Sequence, residues 1–311
     1  MKILPATRAR ITSTALVCHD AGGAEIISSW AKQSENTCYL VAEGPAIDIF
    51  KRKCPELLRF SLNDAVRKCD WVLCGTGWQS QLEREGVSAG KALNKKTIAF
   101  LDHWVNYEQR FRENDDLILP DEIWVGDNIA LEIARSLFQK TPITLQKNPY
   151  VEELLEEIDK KDKLYSSSDD VTVLYVCEPI ADHAFKNFGS DRHWGYTEKE
   201  AVDFFMTYKK LISHKISKVI FRPHPSEPKD KYDWIRKRYP QQVEIGGKLP
   251  LLDEVLKSDI IVGCESMAMI VGLLADRKVI STIPAGGRPC QLPHLDIIKL
   301  TDLVNGNIAN A

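Results

Sequence analysis

Short apolar runs alternate with amphipathic stretches along most of this chain, and that alternation limits the folds open to it. The runs in the first half are TALVC (14–18), TCYLVAEG (37–44), DWVLCGTG (70–77), KKTIAFLDHW (95–104) and DEIWVGD (121–127). Stretches with helical periodicity, such as AEIISSWAKQ (24–33) and IALEIARSLF (129–138), lie between them. Strands that alternate with helices favour parallel sheets covered by helices on both faces.

The alternation stops at VEELLEEIDKKDKLYSSSDD (151–170), a charged helical pattern that ends in serine and aspartate. It restarts with VTVLYVCEP (171–179) and continues through KVIFRPHP, DIIVGC and KVISTIP (278–284). We therefore predict an α/β protein with two doubly wound, Rossmann-like parallel-sheet domains. The domains would span residues 1–150 and 171–311, with residues 151–170 as the linker. The stretch ADHAFKNFGSDRHWGY (181–196) is expected to be a loop.

Composition narrows the function classes. A chain of 311 residues can form two domains, and its formal net charge of −3 disfavours nucleic acid as the main partner. No apolar run reaches the roughly 18 residues that a transmembrane helix needs, so we expect a cytoplasmic protein. Peripheral association with a membrane assembly complex stays open. The eight cysteines include no CxxC pair, which predicts buried free thiols in a reducing compartment and no metal site.

Two predicted strand ends in the second domain carry the residues most suggestive of chemistry. KVIFRPHPSEP (218–228) places Arg222, His224 and Ser226 at the end of one strand. SDIIVGCESMAM (258–269) places Gly263, Glu265 and Ser266 at the end of a later strand. Ligands bind at the carboxyl ends of parallel strands, and a helix N-terminus attracts anions. We expect these residues to bind a nucleotide phosphate. His224, held between two prolines, is expected to donate to the phosphate or to protonate a leaving group. Glu227 is expected to be solvated.

Two further loops of the second domain lie at predicted strand ends. Glu178 ends the first strand of that domain and is a candidate for contact with the nucleotide ribose or base. The loop IPAGGRP (283–289) carries Arg288, which is expected to border the same ligand and to bind the substrate.

Glycine-rich loops follow two strands of the first domain. HDAGGAE (19–25) offers Asp20, Gly22 and Gly23, and GTGWQS (75–80) offers Thr76 and Gly77. Glycines let a backbone approach a ligand closely, so these residues are candidates for substrate binding, and the adjacent Trp78 is a candidate to cover a sugar ring. The alternative for both loops is a tight turn with no ligand.

The stretch FLDHWVNYEQRF (100–111) places Asp102 and His103 at the end of an apolar strand, with Arg110 behind them. An acidic side chain among aromatic residues suits a general base that faces a carbohydrate hydroxyl, which is the role we predict for Asp102. His103 and Arg110 are predicted to bind the substrate. The alternative is that Asp102 caps a helix beginning at Val105.

With these motifs considered together, the chain resembles bacterial glycosyltransferases of the GT-B fold. More narrowly, it resembles the sialyltransferase and polysialyltransferase type and the related Kdo and capsule transferases. FLDHW takes the place of their acidic motif, RPHP that of their His-Pro motif, and CESM that of their serine motif. His103 and Trp104 replace the second acid and the glycine of the acidic motif, and the serine motif has one serine instead of two.

The resemblance implies a GT-B architecture with an acceptor domain followed by a nucleotide-donor domain. It implies a metal-independent, cofactor-free transfer of a sialic-acid-like or Kdo-like sugar acid from a CMP donor to a glycan acceptor, in surface polysaccharide synthesis. In that reaction Asp102 is the base, while His224 and Ser266 contact the phosphate. Two alternatives stay open: a UDP-sugar epimerase or hydrolase of the same fold, and a non-catalytic scaffold that binds a nucleotide or glycan.

Overall fold

The computed structural model describes residues 12–77, 80–161, 170–228 and 230–309. Contacts within the chain divide it into two compact units, Met1–Glu153 and Leu154–Ala311. A helix spans the boundary between them. The predicted linker is therefore helical in its first part, and its residues 162–169 lie outside the described residues.

The strands of the first unit are β1 (Ser13–Cys18), β2 (Thr37–Ala42), β3 (Trp71–Cys74), β4 (Lys96–Leu101), β5 (Arg112–Glu113), β6 (Asp116–Leu117), β7 (Glu122–Val125) and β8 (Ile143–Leu145). Its helices are α1 (Ala21–Gln33), α2 (Ala46–Lys53), α3 (Leu62–Lys68), α4 (Leu82–Ala92), α5 (Tyr107–Phe111), α6 (Asn128–Leu137) and α7 (Pro149–Lys161), which ends in the second unit. Among the described residues, six strands form a parallel sheet in the order β2-β1-β3-β4-β7-β8, and β5 pairs with β6 in an antiparallel hairpin.

Both faces of this sheet are buried, as the continuous apolar runs predict. Along β1, Ala15 and Val17 pack into one hydrophobic cluster, while Leu16 and Cys18 pack into a second. Successive side chains of a strand point to opposite faces, so the two clusters cover the two sides of one sheet.

The second unit repeats this architecture. Its strands are β9 (Val171–Val176), β10 (Ile216–Arg222), β11 (Val243–Ile245), β12 (Ile260–Gly263), β13 (Lys278–Ser281) and β14 (Ile297–Lys299). Its helices are α8 (Ile180–Phe188), α9 (Glu198–Ile212), α10 (Asp233–Arg238), α11 (Leu251–Leu256), α12 (Met267–Leu274) and α13 (Leu300–Ala309). Within the described part of this unit, the sheet order is β11-β10-β9-β12-β13-β14, and every neighbouring pair is parallel.

The prediction of two doubly wound parallel-sheet domains is confirmed. The expectation of a loop over 181–196 is wrong, because α8 occupies its first half. Ile180 and Ala184, four residues apart, bury one face of α8, and Gly189 ends the helix in a left-handed conformation. The expected burial of cysteines in the apolar runs is confirmed at Cys18 and Cys74, among others. No helix in the described ranges is both long enough and apolar enough to span a bilayer.

Close packing of α4 on the first sheet depends on Gly90. A β-carbon at this position would lie 2.5 Å from Cγ2 of Thr97 and 3.0 Å from Cγ2 of Val72. We expect Gly90→Ala to destabilise the protein by about 1–3 kcal/mol, because this overlap outweighs the helix propensity of alanine. The measurement is urea denaturation.

Gly306→Ala on α13 is the matched control. It places the same methyl group on a helix where, apart from the backbone of the helix itself, no heavy atom of the described residues lies within 4 Å of the new β-carbon. The control should be neutral or stabilising by about 0.5–1 kcal/mol. Equal stability of the two variants would contradict the packing argument.

Candidate functional site

The carboxyl edge of the first sheet gathers most of the residues predicted for the first domain. The strand order reverses between β1 and β3, so the loops that follow these two strands leave the sheet side by side. A β-carbon on Gly23 would lie 3.1 Å from Cα of Gly75, which shows how closely the loops approach. The two glycine-rich loops and the end of β4 therefore form one edge.

Asp102, at the end of β4, is held in a buried polar cluster. Its Oδ1 accepts a hydrogen bond of 3.0 Å from Thr76 Oγ1 and one of 2.6 Å from Nη1 of Arg110. The side chains of Asp102 and Arg110 are 10% and 6% exposed. The guanidinium of Arg110 also donates to the carbonyl groups of Thr76 and Val105. Arg110 is thus engaged within its own unit, and its predicted contact with a substrate stays a prediction.

The predicted alternative for Asp102, a helix cap, is wrong. The next helix along the chain, α5, begins at Tyr107, and its N-terminal cap is Asn106 in a left-handed conformation. The predicted substrate residue His103 lies on the same segment, where its Nδ1 accepts a hydrogen bond from the backbone N–H of Trp104. Trp78 lies outside the described residues.

Two glycines at this edge lie directly against carboxylates. A β-carbon on Gly22 would lie 2.0 Å from Oδ2 of Asp102, and one on Gly77 would lie 2.8 Å from Cγ of Asp20. Because Gly22 and Gly77 have no side chain, the carboxylates of Asp102 and Asp20 can pack directly against the backbone at these positions. The first turn of α1, which contains Gly22, approaches Asp102, and the positive end of the helix dipole favours that placement.

His19 and Asp20 form an acid–base pair at the end of β1. Nδ1 of His19 lies 2.7 Å from Oδ1 of Asp20, and the two side chains are 26% and 27% exposed. A carboxylate oxygen accepts hydrogen bonds, so this contact places the N–H of the imidazole at Nδ1 and leaves Nε2 as its acceptor nitrogen. A β-carbon on Gly44 would lie 2.6 Å from Nε2 of His19. Any residue other than glycine at position 44 would therefore overlap the imidazole ring.

Glu83 on α4 fixes the backbone of this pair. Its Oε1 accepts a 2.7 Å hydrogen bond from the N–H of His19, while its Oε2 is buried and has no hydrogen-bond partner among the described residues. Burial raises the pKa of Glu83, and the hydrogen bond from His19 opposes that rise. The sequence analysis missed both Glu83 and His19. A glutamate in an amphipathic helix gives no sign of burial, although the position of His19 beside Asp20 at a strand end could have identified it.

The carboxyl edge of the second sheet repeats this arrangement. Here the strand order reverses between β9 and β12. Glu178 follows β9, and the segment Cys264–Ser266 follows β12 and leads into α12. Oε1 of Glu178 accepts hydrogen bonds of 2.9 Å from the N–H groups of Cys264 and Glu265, and Oγ of Ser266 accepts one of 3.2 Å from Ala268.

His224 follows β10 at the same edge, in a turn that fixes its tautomer. The backbone N–H of Ser226 lies 3.2 Å from Nδ1 of His224, and Oγ of Ser226 lies 2.7 Å from it. A backbone N–H can only donate, so Nδ1 accepts and the proton of the neutral ring is on Nε2. Burial lowers the pKa of His224, while Glu227 opposes the shift and His183 adds to it. His224 therefore presents a neutral N–H donor.

Glu227 is buried beneath the His224 turn and accepts a hydrogen bond from it, so the expectation that Glu227 is solvated is wrong. Its side chain is 1% exposed, and Oε2 accepts a 2.9 Å hydrogen bond from the N–H of His224. Its Oε1 accepts from the hydroxyl of Tyr232 and pairs with Nζ of Lys231, both at 2.9 Å. Lys231 also pairs with Asp182 and Glu198, which ties α8 and α9 to the His224 turn.

The other candidates of the second domain have partners within their own unit. Nη1 of Arg222 pairs with Glu254 at 2.6 Å and donates to the carbonyl of Leu249. Arg288 pairs with Glu265, and its guanidinium lies 4.4 Å from the ring centroid of Trp194. Phosphate contact by Arg222, Ser226, Glu265 and Ser266, and substrate contact by Arg288, stay predictions.

Gly263 has a clear packing role. A β-carbon there would lie 2.7 Å from Cγ2 of Val176 on β9, the strand beside it. The glycine therefore permits close pairing of β9 with β12, which is what places Glu178 beside the start of α12.

The buried pair of Asp102 and Arg110 makes a stability prediction. We expect Arg110→Met to cost about 3–5 kcal/mol, because the carboxylate of Asp102 loses its charged partner, and the double variant Arg110→Met/Asp102→Asn to recover part of that loss. Urea denaturation of the single and double variants measures the coupling. Breaking the exposed pair of Arg192 and Glu200 by Arg192→Met should cost under about 1 kcal/mol. A loss that small in Arg110→Met would contradict the buried pair.

Comparison with solved structures identifies the fold. The UDP-GlcNAc 2-epimerase from Methanocaldococcus jannaschii superposes with a TM-score of 0.58 at 12% identity, over 94% of this chain and 92% of that one. The glycosyltransferase of kitacinnamycin gives a TM-score of 0.53 at 11% identity, over 96% and 85% of the two chains. No protein-family model matches the sequence, and no curated protein matches it significantly. Identities this low show a shared fold, and that fold is the GT-B-like pairing of two parallel-sheet α/β domains.

Proposed function

We propose that this protein is a glycosyltransferase that moves a sugar from a nucleotide-sugar donor to a hydroxyl group of an acceptor. One observation carries the proposal. Each sheet presents a histidine at its carboxyl edge, and the two rings have opposite tautomers. His19 offers an acceptor nitrogen, and His224 offers a donor N–H. Glycosyl transfer needs one group that removes a proton from the acceptor and another that stabilises the leaving phosphate.

We assign the acceptor to the first unit and proton removal to His19. Asp20 orients the ring and stabilises the imidazolium that forms when Nε2 takes the proton. The geometry favours this pair over Asp102, the base suggested by the sequence. Oδ1 of Asp102 already accepts hydrogen bonds from Thr76 and Arg110, so this oxygen is engaged within the buried cluster.

The donor is assigned to the second unit, with His224 at its phosphate. Nε2–H would donate to a phosphate oxygen and stabilise the negative charge that develops as the bond to the sugar breaks. Because Glu227 and Ser226 fix the turn, this N–H is oriented before the donor binds. The oxygen of the acceptor would attack the anomeric carbon directly as the nucleotide leaves.

The finer identity of the donor rests on the motifs. The RPHP and CESM segments support a CMP-activated sialic-acid-like or Kdo-like sugar, transferred without metal to a glycan in surface polysaccharide synthesis. Arg288 is a basic side chain near this edge that retains exposure, 34%, and it is the one we assign to a sugar carboxylate. Transfer in the presence of EDTA tests the absence of a metal requirement.

Nucleotide binding is the first test of this function. In a thermal-shift screen of CMP, UDP, GDP and their sugars, at least one nucleotide should raise the melting temperature, since a ligand that binds the folded state stabilises it. His224→Asn should lower the transfer rate by about 10²–10³-fold with the melting temperature of the free protein nearly unchanged. No shift with any nucleotide would refute the proposal.

The assignment of the base has its own test. Asp20→Asn should lower kcat by about 10²–10⁴-fold, because the ring loses the carboxylate that orients it and stabilises its charge. Asp102→Asn, the matched carboxylate-to-amide change, should act mainly on stability. Single-turnover transfer by the two purified variants separates these effects. Loss of transfer in Asp102→Asn alone, with Asp20→Asn active, would return the role of base to Asp102.

A UDP-sugar epimerase or hydrolase is the second candidate, and the superposition on the UDP-GlcNAc 2-epimerase supports it. An epimerase needs no acceptor. Incubation with UDP-GlcNAc alone would therefore yield an epimer or free UDP if this candidate is right, and unchanged UDP-GlcNAc if the transferase is right. Nucleotide binding without turnover of any donor would indicate a non-catalytic scaffold.

A further inference from the structure

Glu178 occupies the place where the proposed donor phosphate would bind. Its Oε1 accepts from two successive backbone N–H groups, those of Cys264 and Glu265, each at 2.9 Å. These groups precede α12 at the point where the strand order of the second sheet reverses. Backbone N–H groups in this position are what bind phosphate in doubly wound folds. The chain thus supplies its own anion there.

A carboxylate and a phosphate compete for these donors. Each N–H can serve one strong acceptor at a time, and two anions held a few ångströms apart repel each other. A phosphate can therefore bind after the carboxylate has either moved away or become neutral by taking up a proton.

The surroundings of Glu178 favour uptake of a proton. Burial raises its pKa to about 7, the N–H of Glu265 opposes the rise, and the nearby carboxylate of Glu265 adds to it. The guanidinium of Arg288 pairs with Glu265. Within the described residues, the other titratable groups that interact with Glu178 are thiols and phenols, and burial raises their pKa values: Tyr175, Cys177, Tyr196, Cys264 and Cys290.

We propose that Glu178 is a proton-dependent competitor for the donor phosphate, so that one proton is taken up at Glu178 when a nucleotide-linked phosphate binds to the N–H groups of Cys264 and Glu265. The inference rests on the proposed function and specifies how the same site is regulated. Its consequence has a definite sign. Above pH 7 the free protein holds Glu178 ionised, so the dissociation constant of the donor should rise with pH, by up to tenfold per unit.

The first measurement needs no nucleotide. In protein labelled with ¹⁵N-cysteine, the amide resonance of Cys264, assigned with Cys264→Ser, should titrate near pH 7 in the wild type and not in Glu178→Gln. Burial lowers the pKa of His224, and any transition caused by His224 would persist in Glu178→Gln. A Cys264 amide that shows no transition between pH 5 and 9, or the same transition in both proteins, would overturn the proposal.

The second measurement uses UDP-N-acetylglucosamine and CMP-N-acetylneuraminate, whose phosphodiester groups stay ionised throughout this pH range. Calorimetry in buffers of different ionisation enthalpy should show uptake of close to one proton at pH 8 by the wild type and none by Glu178→Gln. Glu178→Gln should also bind the probe at least tenfold more tightly at pH 8.5. Glu244→Gln, the same change at an exposed position of β11, is the matched control and should behave as the wild type.

The two proposals fail in distinguishable ways. If no nucleotide or nucleotide sugar of the thermal-shift screen binds the wild type or Glu178→Gln at pH 6, the proposed function and the competition both fail, whatever the amide titration shows. If a probe binds with equal proton uptake in both proteins, the proposed function stands and the role given to Glu178 is wrong.

Discussion

Parallel pairing between strands that are distant in sequence is the constraint on which the site depends. β1 pairs with β3, and β9 pairs with β12, so loops separated by tens of residues leave each sheet side by side. Main-chain hydrogen bonds between the paired strands bring these loops together, and side chains of one loop can then contact the other. Glu178 reaches the N–H groups at the start of α12 because the strand it follows is paired with β12.

The two histidines show how neighbouring groups determine which ring nitrogen carries the proton. His19 and His224 have the same side chain, and neither is fully buried. A carboxylate beside Nδ1 makes Nε2 of His19 an acceptor, whereas an amide beside Nδ1 makes Nε2 of His224 a donor. In each unit a buried glutamate, Glu83 or Glu227, accepts from the N–H of the histidine and so fixes the ring position. Local hydrogen bonds therefore determine which ring can take a proton.

The fold was predictable because buried parallel strands give continuous apolar runs, which the chain displays at regular intervals. The loops at the carboxyl edges were predictable for the same reason, since polar residues directly follow those runs. The helix α8 was missed, because its aromatic and polar residues resemble a loop until Gly189 is recognised as its C-terminal cap. Pairings such as Asp102 with Arg110, and the burial of Glu83 and Glu227, depend on tertiary packing and leave no periodic pattern in the sequence.

Three glycines at the carboxyl edge of the first sheet limit which substitutions this chain can accept during evolution. Gly22, Gly44 and Gly77 each lie where one added methyl group would overlap a carboxylate or an imidazole ring. Replacement by alanine, which is usually a mild change, would therefore displace the side chain of Asp102, His19 or Asp20 directly. Homologues that retain Asp20, His19 and Asp102 should keep glycine at these three positions even where the sequence of the surrounding helices has changed.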